Sequence, residues 1–164
     1  MTIILKNKDT LLIEDFKIKC CVGKNGLTSN KVEGDKKTPI GTFELDKLYY
    51  RKDKFSKPKT ELKCVPIDRE MGWCNDLNNP QKYNKIIKRN KKIKHEKIFR
   101  SDSKYDFIIP IKYNFKKPIL GKGSAIFLHI TKNYRSTDGC IAISKNDFLI
   151  LLRLINRKTK IKIS

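Results

Sequence analysis

Short alternating or apolar runs outnumber helical periods along this chain, and they predict a mainly β fold. Residues 2–6, 11–14 and 16–22 have strand length and strand composition, with Asn7, Lys8 and Asp9 as the first turn. Glycines at 23, 26, 34 and 41 punctuate the loop that follows, and Pro39 fixes the chain before a further strand ending near Tyr50. The middle third holds one strand-like stretch, 64–67. Beyond it, 72–76 and 80–84 read as an ordered loop with an aromatic wall. Residues 105–113 and 125–130 read as buried strands joined through the loop at 118–123. Ser144 with Asp147 three residues later has the form of a helix N-cap, and the apolar period behind it predicts a helix to about Asn156. A last strand covers 160–163, and a few other short helical or loop elements are expected between strands.

Neither a shift in composition nor a Pro- or Ser-rich linker divides the 164 residues, so one domain spanning 1–164 is expected. The formal charge is +21, and 31 of the 38 cations are Lys. Such a charge attracts anions at long range, but it is spread along the whole chain. The densest run, 85–97, offers only Ile86, Ile87 and Ile93 between its charges and no Phe, Tyr or Trp, so it reads as a solvated surface and no specific nucleic acid is expected. No apolar stretch is long enough for a signal peptide core or a membrane span. The five cysteines include no C-x-x-C, and Cys64, Cys74 and His95 have no common metal-ligand spacing, so neither a disulfide framework nor a metal is indicated. Cys20 and Cys21 end a β-like run and read as small buried hydrophobes.

The segment 125–143 changes the picture. His129, one of two histidines, ends an apolar run, and Cys140 follows it after a polar turn containing Asn133, Ser136, Thr137, Asp138 and Gly139. A thiol becomes a nucleophile near neutral pH when an imidazole takes its proton, and the acyl oxyanion it generates needs N–H donors. Cys140 as nucleophile, His129 as base, and the backbone of Gly139 and Asp138 as oxyanion donors supply these parts. A carbonyl near Thr137 or Ile130 is the candidate that orients the imidazole. Trp73, the single tryptophan, reads equally as core anchor or as substrate platform.

The motif His129…Thr137-Asp-Gly-Cys-Ile141 resembles the signature of the L,D-transpeptidase catalytic domain of the YkuD type. Gly23-Lys-Asn-Gly26, Gly34-Asp-Lys-Lys-Thr-Pro-Ile-Gly-Thr-Phe43, Gly72-Trp-Cys-Asn-Asp76, Tyr105-Asp106 and Gly121-Lys-Gly-Ser-Ala-Ile-Phe-Leu-His129 extend the likeness to a compact bacterial branch over nearly the whole chain. Asp138 stands where the common motif has His, Ala142 where many members carry Arg or Asn, and the 11-residue interval between His129 and Cys140 is short for the family.

The resemblance implies a β-rich fold of mixed sheets forming a sandwich, and a cysteine enzyme acting without cofactor on peptidoglycan stem peptides or muropeptides. Cys140 would form a thioester at the L-centre of a diamino acid with loss of terminal D-alanine. Transfer to an amine makes an L,D-transpeptidase; transfer to water makes an L,D-carboxypeptidase. Arg135 and Arg51 are candidates for a substrate carboxylate, and Trp73, Asp76 and Tyr83 for the cleft wall. The family places the protein in the cell envelope; the cytoplasm is the alternative suggested by the lack of a visible export signal. A reading of another class is a non-catalytic binder of anionic polymers, in which the +21 charge carries the function.

Overall fold

Where alternation allows one side of the backbone to be buried, the chain forms strands. In the computed structural model, which describes residues 1–164, β1 (Thr2–Lys6) buries Ile3 and Leu5 and exposes the residues between them. β2 (Thr10–Ile13) and β3 (Phe16–Cys21) continue as antiparallel neighbours. The glycine-punctuated loop contributes two short strands, β4 (Leu27–Thr28) and β5 (Thr38–Pro39), before β6 (Gly41–Glu44) and β7 (Leu48–Tyr50). The middle of the chain forms β8 (Cys64–Pro66), β9 (Met71–Cys74), β10 (Ile86–Lys88) and β11 (His95–Lys97). β12 (Phe107–Pro110), β13 (Phe127–Ile130) and β14 (Ile141–Ile143) follow, then α1 (Lys145–Leu154) and β15 (Lys160–Ile163).

Ten strands join in one mixed sheet in the order β6-β15-β1-β2-β3-β14-β13-β12-β7-β8. It curls on itself: Leu45, just past edge strand β6, bridges Ile111, and Lys112 donates its N–H to the Glu44 carbonyl. The layers of the expected sandwich are thus parts of a single sheet. The larger apolar cluster fills the curl, with Leu128, Ile130, Ile141 and Ile143 from the central strands. Helix α1 adds Phe148, Leu151 and Leu152 to that core. Its N-terminus is held as expected by Ser144, whose hydroxyl accepts the Asp147 N–H, an interaction typically worth about 1 kcal/mol.

The opposite face of β12–β14 is apolar too. Tyr49, Ile108, Phe127 and Cys140 on that face pack with Trp73, Ile98 and Tyr105, which come from a separate three-stranded sheet, β10-β9-β11, and from the segment leading back to β12. Here the sequence expectation is corrected. Gly72-Trp-Cys is a central strand and not a loop, and the basic run 85–97 supplies the two strands that flank it. Its lysines do point to water, but Ile93 is buried, as is Ile98 just beyond the run. Apart from α1 no helical element forms.

Candidate active site

Register decides which side chains meet. β13 and β14 run parallel with Leu128 beside Ile141, His129 beside Ala142 and Ile130 beside Ile143. Because successive side chains of a strand alternate between faces, Leu128, Ile130, Ile141 and Ile143 enter the main core, while Phe127, His129, Cys140 and Ala142 share the other face. Cys140 and His129 are therefore diagonal neighbours on adjacent strands. On the far side of β14, Ala142 pairs with Cys21 of β3, so His129, Ala142 and Cys21 form one row across three strands.

The turn before Cys140 is built by side chains from distant segments. Thr137 bridges Gly23, its N–H donating to the Val22 carbonyl and its carbonyl accepting the Lys24 N–H. Its hydroxyl donates to the Cys140 carbonyl at 2.6 Å and accepts the Gly139 N–H at 3.1 Å. Thr38 completes the clamp, accepting the Gly23 N–H and donating to the Gly139 carbonyl, both at 2.9 Å. Gly139 has φ +134°, and a Cβ there would lie 2.9 Å from the Lys37 carbonyl oxygen. Only glycine fits this close approach without strain. The Asp138 N–H has no hydrogen-bond partner, whereas that of Gly139 is occupied by Thr137.

The imidazole is fixed from one side. His129 Nδ1 lies 2.9 Å from the Ile130 carbonyl, which assigns the proton to Nδ1 and leaves Nε2 as a lone pair; Nε2 is buried and has no partner. Of the two carbonyls expected to orient this ring, that of Ile130 lies at Nδ1, whereas that of Thr137 accepts the Lys24 N–H instead. The thiol donates to the Ala125 carbonyl at 3.2 Å and accepts the Phe127 N–H at 3.3 Å. The two groups thus face the same buried space without a hydrogen bond between them. Burial pulls the His129 pKa down to about 3, Lys104 and Arg100 adding to the effect and the Ile130 carbonyl opposing it. Burial likewise pushes the Cys140 thiol up to about 12, with Glu96 adding and the Phe127 N–H and Lys104 opposing. Both groups are neutral in this closed state.

Tyr105 is the cover. Its ring meets those of His129 and Phe127 edge-on, at centroid distances of 5.4 and 5.7 Å, and its hydroxyl donates to the Glu96 carboxylate. Arg51 ties the same cover to the main sheet. Its guanidinium binds both carboxylate oxygens of Asp53, donates to the Arg100 carbonyl and stacks 3.6 Å over Phe99. This is a correction to its expected place beside substrate, since the group is buried and fully engaged. Trp73, Asp76 and Tyr83 are likewise buried in scaffolding and do not form a cleft wall. The Trp73 indole donates to Asn84, Tyr83 donates to Glu33, and Asp76 accepts the N–H groups of Asn78 and Lys94. Asn84 uses its whole amide, accepting from Trp73 and Ala125 and donating to the Tyr113 and Asn114 carbonyls.

Beside the pair opens a polar cleft of about 320 Å³, lined among others by His129, Arg135, Thr137, Lys104 and Ala142. Arg135 is exposed there, and its carbonyl accepts the Cys21 thiol. Cys140 itself is sealed beneath Tyr105 and does not reach the cleft. In the sequence Tyr105 stood out only as part of the family likeness and of an expected strand, and Glu96 lay inside a lysine run, so neither pointed to a place over the site.

The buried neutral histidine has a consequence for stability. Its folded pKa, about 3, lies below the ordinary value of 6.5, so on acidification the unfolded chain takes up the proton and the native one does not. Stability is lost as pH falls through that window. Urea denaturation at about pH 7 and pH 5 is expected to show roughly 2 kcal/mol more acid loss in the native chain than in His129→Asn.

The comparisons with known proteins agree with this architecture. No curated protein matches the chain. A solved structure, the helical cell shape determining protein Pgp2 from Campylobacter jejuni, is similar in fold with a TM-score of 0.55 at 17% identity; the match covers 99% of this chain and 46% of that one. The chain thus spans about half the length of that protein. The family model of the L,D-transpeptidase catalytic domain, YkuD, matches residues 1–163. With a β-rich fold that carries His129 and Cys140 on one sheet face, the chain belongs to the L,D-transpeptidase catalytic domain family.

Proposed function

We propose that the protein is a cysteine acyl-transfer enzyme acting on peptidoglycan stem peptides, with L,D-transpeptidation as its reaction. The observation that carries this reading is the shared face of β13 and β14, which holds a thiol and an imidazole whose Nε2 is free to accept a proton. Once the Tyr105 cover moves aside, His129 Nε2 takes the thiol proton and Cys140 Sγ attacks the carbonyl carbon of the diamino acid at its L-centre. The oxyanion is met by the Asp138 N–H, which has no partner in the resting state, and by the Gly139 N–H once it leaves Thr137. The C–S bond forms, the C–N bond to D-alanine breaks, and the departing amine takes its proton from the His129 imidazolium. An acceptor amine then attacks the thioester, its proton passing to His129 as the thiolate leaves. Arg135 at the cleft is the cation for a substrate carboxylate.

Ala142 favours a second outcome. It lies beside His129 and lines the cleft with a methyl group, so no side chain at that position binds an acceptor. Water in place of the amine gives the L,D-carboxypeptidase reaction. Incubating the protein with a disaccharide tetrapeptide, with and without a free D-amino acid as acceptor, separates the two by mass spectrometry. D-alanine release with an exchanged product is the expected result, tripeptide alone marks hydrolysis, and no release of D-alanine in either case overturns the reading.

A further inference from the structure

Exposed loops are usually polar, yet the connection from β12 to β13 presents Ile119 at 64% and Leu120 at 42% exposure, side by side. This is not slack chain. Asn114 donates to the Ile119 and Gly123 carbonyls and accepts the Ile119 N–H, the Lys122 N–H returns to the Ile119 carbonyl, and the Tyr113 hydroxyl holds the Lys122 carbonyl at 2.6 Å. The loop is built so that its apolar tip points outward. A second segment adds to it: the Glu33 N–H donates to the Gly121 carbonyl, which brings Val32, 49% exposed, next to the loop.

The charges carried by the loop itself have one sign. Lys116, Lys117 and Lys122 flank the pair and are exposed, and the sequence holds no carboxylate between Asp106 and Asp138. The two acids of the neighbouring segment are used internally, Asp35 by Lys31 and Glu33 by Tyr83 and Ser124. We propose that the 114–122 loop, with Val32 beside it, is an interfacial contact that seats the protein on an anionic lipid bilayer. Ile119, Leu120 and Val32 enter the boundary between headgroups and acyl chains, and the three lysines meet the headgroup phosphates. A soluble polyanion would satisfy the lysines and leave the apolar tip in water; the tip is what selects a bilayer. The +21 charge draws the whole molecule toward such a surface, and the loop sets its orientation. This inference stands apart from the catalytic reading.

The test uses co-sedimentation of the full chain at physiological salt with vesicles of phosphatidylglycerol and phosphatidylcholine, and with phosphatidylcholine alone. The native protein is expected to bind the anionic vesicles, and Ile119→Asp with Leu120→Asp to weaken binding by at least about tenfold. The control Phe16→Asp with Ile150→Asp makes the same charge change at two exposed apolar positions, on the β2–β3 hairpin and on α1, and is expected to stay within about twofold of native. Ile119→Trp, which keeps an apolar tip, is expected to shift its emission to the blue on anionic vesicles, readable because Trp73 is buried. Equal weakening by both double variants, no binding to anionic vesicles, or no shift from Ile119→Trp each overturns the proposal.

Discussion

Replacing Cys140 by alanine or serine is expected to lower D-alanine release from a tetrapeptide by about a thousandfold or more, and to abolish the mass adduct of the acyl-enzyme. The two replacements divide chemistry from structure. The native sulfur donates to the Ala125 carbonyl and accepts the Phe127 N–H in a space closed to water, so alanine leaves a buried N–H unpaired at a cost of about 1–3 kcal/mol. Serine keeps both contacts in kind. Its hydroxyl is a far weaker nucleophile beside a neutral imidazole, so activity falls with it while melting stays near native. Release of D-alanine by Cys140→Ser at a rate near that of the native chain would remove Cys140 from the mechanism.

Gly139→Ala is expected to strike the fold and the chemistry together. The backbone at 139 has φ +134°, and a Cβ would sit 2.9 Å from the Lys37 carbonyl and 3.3 Å from Ile126 Cδ1. The Lys37 backbone cannot easily retreat, because its N–H is held by the Asp35 carboxylate at 2.8 Å. Strained φ and overpacking each cost roughly 1–3 kcal/mol, which for a chain of this size lowers the melting temperature by about 5–15 °C. The same displacement pulls the Gly139 N–H and the adjoining Cys140 away from their settings on Thr137. Differential scanning calorimetry checks the first effect and single-turnover acylation the second. An unshifted melting temperature would show that the 36–39 segment yields freely, contrary to its hydrogen bonding.

Local pattern carried much of the fold into the sequence. β1, β15 and the Ser144 cap are readable because alternation, length and capping chemistry act within a few residues. That His129 and Cys140 come to one face of neighbouring strands is readable for a similar reason, since strand, polar turn and strand follow one another directly. The outer sheet was hidden. Lys85, Lys88, Lys94 and Lys97 mask β10 and β11, whose partner β9 is interrupted by Gly72 and pairs with them across chain separations that no short period reveals. Arg51 was misplaced on the same grounds: as a cation it suits a carboxylate ligand, and only the fold shows that Asp53, Phe99 and the Arg100 carbonyl already hold it. Side chains with long-range partners, such as Asn84 and Thr38, announce nothing in their own neighbourhood.

The seal over Cys140 bears on oxidation as much as on acyl transfer. Peroxide reacts with thiolate and needs a path to the sulfur, and the resting site denies it both, holding the thiol neutral beneath an aromatic ring tied to Glu96. Cys21, the other thiol on this face, is likewise buried, donating to the Arg135 carbonyl, with its pKa raised chiefly by burial. Of five free cysteines, the one proposed for chemistry is thus held as a neutral, buried thiol in this structure, a form slow to oxidise.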